Sequence, residues 1–320
     1  MRKLLAACAI ATLAFSVPAS AQDFPSKLIR IIVPFTPGGS NDVLARELAT
    51  GFQARWKESA VVENKPGGGG TIAYAFLAKA PPDGYTLMVA PASFTMVPHL
   101  SKNPGFNPLT DYAPINLVID VPFVMVVPPD VKAQTVQEFV ALAKASPGKL
   151  SYASVGVGTP QHLGAELFKM QAGVDLIHVP YRGATAAIPD LLAGRVQMFI
   201  GAINSLLPLI KEGKLRALAS AGSRRIASLP DVPTFAEAGV PGVDVGSGVG
   251  VVAPAGTPDA VVQTLNRAIN EIAATPGFHQ RMAAIGVDVV GTTAAEYGKI
   301  IRDDYEKWGK VVKAAGIKAD

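Results

Sequence analysis

Two stretches of this chain place glycines, hydroxyls and a helix start close enough together to hold an anion. The first is Phe35-Thr36-Pro37-Gly38-Gly39-Ser40-Asn41-Asp42, which follows the apolar run Ile31-Ile32-Val33. The second is Gly156-Val157-Gly158-Thr159-Pro160-Gln161-His162, which follows Tyr152-Ala153-Ser154-Val155. Each reads as a strand, a glycine turn and a helix. A helix start leaves backbone N–H groups unpaired and carries partial positive charge. Glycine lets a ligand approach those groups, so each turn can take a carboxylate or phosphate. Two such turns, about 120 residues apart, suggest two lobes gripping one anion.

Each motif also has a plainer reading. Ser40 or Asn41 can simply cap a helix whose dipole Asp42 complements. Thr159 followed by Pro160 is a well-formed helix start without any ligand. Gly156-Val157-Gly158 approaches the dinucleotide fingerprint G-x-G-x-x-G, but Gln161 stands where the third glycine belongs. His162, one turn into its helix, suits either a ligand contact or a hydrogen-bonded packing role. Gly67-Gly68-Gly69-Gly70 lacks the Lys-Ser or Lys-Thr of a phosphate-binding Walker loop and reads first as a tight turn. His99, His178 and His279 lack metal-ligand spacing, so no metal site and no cofactor are expected. No G-x-S-x-G elbow and no close carboxylate pair are present, which argues for binding without chemistry.

The elements that position these turns alternate in β-α order. Leu28 to Val33 predicts a strand and Asp42 to Trp56 a helix, with Val43, Leu44, Leu48 and Phe52 on one face. Strands at Val61 to Glu63 and Tyr85 to Ala90 flank a helix from Thr71 to Ala80. A second set begins after Leu117 to Val127, which carries the chain from one lobe to the other. It contains a helix from Thr135 to Ser146, the two elements around the second turn, a strand at Leu176 to Pro180 and a helix at Ala184 to Ala193. Strands follow at Gln197 to Ile200 and Leu215 to Ser220. Val243 to Val252 reads as the return crossing. Helices at Asp259 to Ala274 and Ala294 to Ala315 are expected to pack back on the first lobe. The order predicts parallel sheets covered by helices. A faint internal echo appears when Ser40 is aligned with Thr159.

The ends and composition bound the function. Arg2 and Lys3, the apolar run Leu4 to Val17 and Ala19-Ser20-Ala21 read as a cleavable secretory signal over residues 1–21. Leu5-Ala6-Ala7-Cys8 imitates a lipoprotein box, but too little apolar chain precedes it. Cys8 is the only cysteine, so the mature chain has no disulfide and no thiol nucleophile. Its 29 basic and 25 acidic residues give +4, or +2 without Arg2 and Lys3, and no basic run suggests nucleic acid. The expected address is the periplasm.

These residues resemble the periplasmic receptors of the tripartite tricarboxylate transporter class, the Bug receptors. The resemblance rests on Val33-Pro34-Phe35-Thr36-Pro37-Gly38-Gly39-Ser40-Asn41-Asp42, Val62-Glu63-Asn64-Lys65-Pro66-Gly67 and Pro82-Asp83-Gly84-Tyr85. In the second half it rests on His178-Val179-Pro180-Tyr181-Arg182-Gly183, Leu229-Pro230-Asp231-Val232-Pro233-Thr234 and Ala253-Pro254-Ala255-Gly256-Thr257-Pro258. It implies an α/β, two-lobed fold of the periplasmic-binding-protein type II kind, each lobe a mainly parallel sheet flanked by helices, with hinge crossings between them. The expected lobes are 22–121 plus 252–320, and 122–251. The implied ligand is a small organic carboxylate, and the implied partners are membrane transporter subunits met by a monomeric receptor. Carried over, the ligand residues are Phe35, Thr36, Gly38, Gly39, Ser40, Asp42 and Ser93 from the first lobe. The second lobe supplies Gly156, Gly158, Thr159, His162, Tyr181 and Gly201. Many relatives have Asp where Gly201 stands and Trp near Gly248, which weakens an amino acid as ligand. Two other readings remain: an exported carboxylate-processing enzyme such as an esterase or lyase, and a sensor for a membrane signalling partner.

Overall fold

The computed structural model describes residues 24–100 and 103–315, so the expected signal segment lies outside the described residues. The chain opens with β1 (Ile29–Val33), α1 (Ser40–Trp56), β2 (Ala60–Asn64), α2 (Thr71–Leu77), β3 (Thr86–Ala90) and the single turn α3 (Ser93–Met96). Then β4 (Tyr112–Val121) leads directly to β5 (Phe123–Val127). The middle of the chain holds α4 (Val136–Ala145), β6 (Ser151–Ser154), α5 (Pro160–Ala172), β7 (Ile177–Pro180), α6 (Ala184–Leu192), β8 (Met198–Ala202), α7 (Ile203–Lys211) and β9 (Arg216–Ser220). It closes with β10 (Ser247–Pro254), α8 (Asp259–Ala273), α9 (Pro276–Ala284), β11 (Asp288–Val289) and α10 (Ala294–Ala315).

These strands form two sheets, ordered β11-β4-β10-β3-β1-β2 and β7-β6-β8-β5-β9. The parallel part of the first is β2-β1-β3, and that of the second is β7-β6-β8. The remaining pairs are antiparallel, because β4, β5 and β10 run against the strands they join. Only Pro122 separates β4 in one sheet from β5 in the other. Proline cannot donate to a ladder, so the strand is interrupted where it changes sheets. β10 lies whole in the first sheet, whereas the expected lobe division fell inside it, between 251 and 252.

Apolar period sets the packing. Leu44, Leu48 and Phe52 of α1 are buried with Ile29, Ile31 and Val33 of β1, while Val43 is only half-buried. In the second sheet Val124 and Val126 share a core with Phe199, Ile203 and Leu206. The C-terminal helices α8 and α10 pack on β4, so the end of the chain belongs with the first sheet. Helix α7 has no counterpart among the sequence expectations. Its Ile203, Leu206, Leu207 and Ile210 follow a helical period, but Pro208 inside the helix masks it.

Candidate functional site

Helix α1 starts two residues earlier than expected, with Gly39 as its N-cap and no side chain capping it. Neither Ser40 nor Asn41 is the cap. Asp42 is buried and holds the turn together: its Oδ2 accepts from the Gly38 N–H at 3.0 Å and from Arg46 Nε at 2.9 Å. Its Oδ1 accepts from Arg46 and from Asn64 Nδ2, which also donates to the Phe35 carbonyl. Burial would raise its carboxyl pKa, but the hydrogen bonds from Arg46, Gly38 and Asn64 outweigh that and hold it below the usual value. Asp42 is thus spent on the turn itself.

The second turn is built on the same plan. Thr159 is the N-cap of α5, accepting from the His162 N–H and donating to the Gly156 carbonyl at 2.7 Å. The Gly158 N–H donates to His162 Nδ1 at 3.2 Å. The Gly156 N–H donates to Ser154 Oγ at 3.1 Å. The amides of Gly38, Gly156 and Gly158, expected to hold ligand, are therefore already bonded within their own turns. Aligning the caps pairs Gly38 with Gly158, Asn41 with Gln161 and Asp42 with His162. The sequence echo through Ser40 and Thr159 was one residue out of register. His162 is buried and its ring stacks 4.3 Å from that of His178. Burial, with a smaller push from His178, lowers its pKa to about 4, so it is neutral and Nδ1 can accept.

Between the lobes lies a small cavity of about 50 Å³. The first lobe lines it with Phe35, Thr36, Gly39, Ser40, Asn41 and Ser93. The second contributes Gln161, Gly183, Ala202 and Ser205, and the strands joining the lobes add Phe123 and Ser247. Among the described residues lining it, none carries a charge. Five buried side-chain atoms in the described residues lack a hydrogen-bond partner, and three belong to residues that line the cavity, although the atoms themselves are buried beside it: Asn41 Oδ1, Gln161 Oε1 and Ser205 Oγ. Asn41 and Gln161 are only 7% and 8% exposed. Orphaned polar atoms are costly and mark a place where a partner belongs. Helices α1, α6 and α7 also begin here, at Gly39, Gly183 and Ala202, with no side-chain cap. The first N–H of α7, on Ile203, donates to the Pro122 carbonyl at 3.0 Å, and the other first-turn N–H groups have no side-chain cap.

The lobes touch on both sides of this cavity. Thr36 Oγ1 lies 3.0 Å from Thr185 Oγ1. A Cβ on Gly183 would meet Thr36 Oγ1 at 2.0 Å, so only glycine permits that approach. On the other side a Cβ on Gly69 would meet the Val157 carbonyl at 2.5 Å. One on Gly158 (φ +77°) would meet Leu100 Cδ1 at 2.3 Å. There a larger chamber of about 490 Å³ opens, sharing Phe35 and Val155 with the small one. His162, His178, Tyr181, Arg182 and Gly67 to Gly69 line it.

The expected site residues therefore divide. Phe35, Thr36, Gly39, Ser40 and Ser93 line the small cavity, although the Ser93 hydroxyl is paired with the Tyr74 hydroxyl at 2.6 Å. Gly156, His162 and Tyr181 line the larger chamber, and Tyr181 donates to Asp190 at 2.8 Å. Gly38, Asp42, Gly158 and Thr159 line neither and shape the turns instead. Gly201 also lines neither. A Cβ there would run into the Phe199 ring at 2.4 Å, and Leu117 fills the space at Gly248. The residues that sequence reasoning missed are Asn41, Gln161 and Ser205. Their only sequence signal is a polar residue in the first turn of a helix.

Fold and cleft define a two-lobed periplasmic binding protein. Comparison with known proteins makes this specific. Residues 44–317 match the model of the tripartite tricarboxylate transporter family receptor, TctC, and the chain belongs to that family. It is 37% identical to the protein BugT of Bordetella pertussis, over 99% of each chain. Among solved structures it resembles the periplasmic binding protein BugD at 34% identity and a TM-score of 0.89, covering 93% of this chain and 100% of that one. It also resembles R. palustris Rpa4515 with adipate, at 33% identity and a TM-score of 0.89, covering 92% and 99%. MatC of Rhodopseudomonas palustris with bound malate is similar at 29% identity and a TM-score of 0.87, covering 90% and 100%. The family is one of solute-binding receptors, and relatives bind small carboxylates.

Proposed function

We propose that this protein captures a small organic carboxylate between its lobes in the periplasm and delivers it to membrane transporter subunits. The observation that carries this reading is the convergence of uncharged polar residues from both lobes, Thr36, Ser40, Asn41, Gln161 and Ser205, on one cavity between them. Three uncapped helix starts face the same region and supply partial positive charge without a cation. Lobe contact shields the anion from water, which strengthens each N–H contact. The touching lobes then present a surface that differs between empty and loaded receptor, which a transporter can read. The relatives with adipate and malate support a carboxylate ligand. Capture is favoured over turnover because the lining offers neutral amides and hydroxyls rather than an acid–base pair.

A thermal-shift screen of the mature chain against a carboxylate library tests this. A ligand held only by the folded state raises the melting temperature, by the equivalent of about 2.7 kcal/mol at a hundredfold excess over Kd. A library in which no carboxylate raises it, or one in which an ester is turned over, overturns the reading.

A further inference from the structure

The larger chamber adds what the small cavity lacks, a full charge. Among the described residues lining either space, Arg182 is the one charged side chain. Resting on the receptor reading, we propose that Arg182 holds a second anionic group of the ligand, so that the receptor selects a dicarboxylate over a singly charged acid of the same length. The two spaces share Phe35 and Val155, so one ligand can occupy both. Gly183 lines the small cavity, and Arg182, its neighbour in the chain, lines the chamber. The seat of the first carboxylate and the guanidinium are therefore carried side by side on one backbone.

That backbone is fixed where the lobes meet. On one side of Arg182 the Tyr181 N–H donates to the Ser154 carbonyl at 2.9 Å. On the other, Gly183 lies against Thr36 of the opposite lobe. The guanidinium has no hydrogen bond or ion pair with any described residue. The other arginines of the same lobe, Arg195, Arg216, Arg224 and Arg225, are all engaged by a carboxylate or a carbonyl. Asp190, on the helix that Arg182 leads into, is taken by Tyr181 and Arg195. His162 and His178 line the same chamber, and burial lowers the pKa of both, so they are neutral at pH 7. An anion entering the chamber thus meets one cation and, among the described lining residues, no carboxylate. A guanidinium can take a carboxylate through two parallel N–H bonds. Arg182 is exposed, so the gain is that of a partly screened pair rather than a buried one.

Calorimetry on the mature chain tests this with succinate, glutarate and adipate, each against its own monomethyl ester. The ester keeps the length and loses the second charge. At least one diacid is expected to bind about fivefold or more tighter than its half-ester, as for one partly screened ion pair. Arg182→Gln is expected to bring that ratio towards one. Arg182→Lys is expected to keep part of it, because the charge remains and the planar fork is lost. Equal binding within every wild-type pair, or a ratio unchanged in Arg182→Gln, overturns the proposal and leaves the receptor reading standing. So does a wider carboxylate library whose tightest binder carries a single negative charge. If no acid of that library binds, the receptor reading fails and takes this one with it. Should Arg182→Gln not fold, Arg182→Lys and the wild-type ratios decide.

Discussion

The two glycine turns share one bonding plan and differ in what completes it. In each, the N–H two residues before the first helical residue is taken by the side chain at the third helical position. In the first lobe that side chain is Asp42, braced by Arg46 and Asn64. In the second it is His162, braced by Thr159 and stacked on His178. One turn is locked by charge and the other by a neutral imidazole. Equivalent geometry therefore gives way to acid at different pH, and it places the amides of Asn41 and Gln161 at matching positions.

The largest way to break this pairing is Gly158→Val. The residue would sit at φ +77° and collide with Leu100 across the cleft, so the lobes could not meet. Calorimetry should show carboxylate binding lost, on the order of a hundredfold or more, as for a loss of several kcal/mol. Gly39→Val makes the contrast, because a Cβ there meets nothing within 4 Å and Gly39 lines the small cavity. It should also lose affinity, but with an unchanged melting temperature for the empty protein. A matching drop in both variants would mean that Gly39, too, is structural.

Acid separates the turns next. The pKa of His162 is lowered from 6.5 to about 4, so the unfolded chain binds its proton more readily. Its stabilising contribution is present above about pH 6.5 and is lost as pH falls through about 4, with up to about 3 kcal/mol involved. Asp42 is lowered as well, but from 3.8, so its turn holds to more acidic pH. Urea midpoints at pH 7 and 4.5 should fall steeply in wild type and less steeply in His162→Gln. His178, also lowered by burial, leaves some slope behind. An unaltered slope would acquit His162.

Asp42→Ala at neutral pH is smaller, about 2 kcal/mol, because it removes the part-buried bonds from the Gly38 N–H, Arg46 and Asn64 that hold the turn. Thr159→Ala, the loss of one cap, should cost about 1 kcal/mol. Chemical denaturation measures both, and a reversed ranking would show that the hydroxyl matters more than the carboxylate.

Much of this architecture was legible in the chain. Strand β1 and helices α1 and α10 follow their apolar periods, and both glycine turns declare themselves. The partners of the turn amides were not legible. A helix start advertises free N–H groups, but a side chain four residues on can consume one, as Asp42 and His162 do. Asn41 and Gln161 read as ordinary polar residues until two segments far apart in sequence are seen to face one cavity. Ser205 was hidden because Pro208 obscures the helix that carries it. Gly201 lines neither cavity, because the Phe199 ring turns back over it, and nothing local in the sequence signals that.

Phe123 and Ser247 belong to the strands on either side of the lobe junction, and both line the small cavity. Its floor is therefore built where the chain passes from one sheet to the other. Anything seated there rests at once on continuous backbone and on lobe faces that meet only through non-covalent contacts, as at Thr36 and Thr185. A change in the shape of that floor is thus felt in both halves of the molecule together.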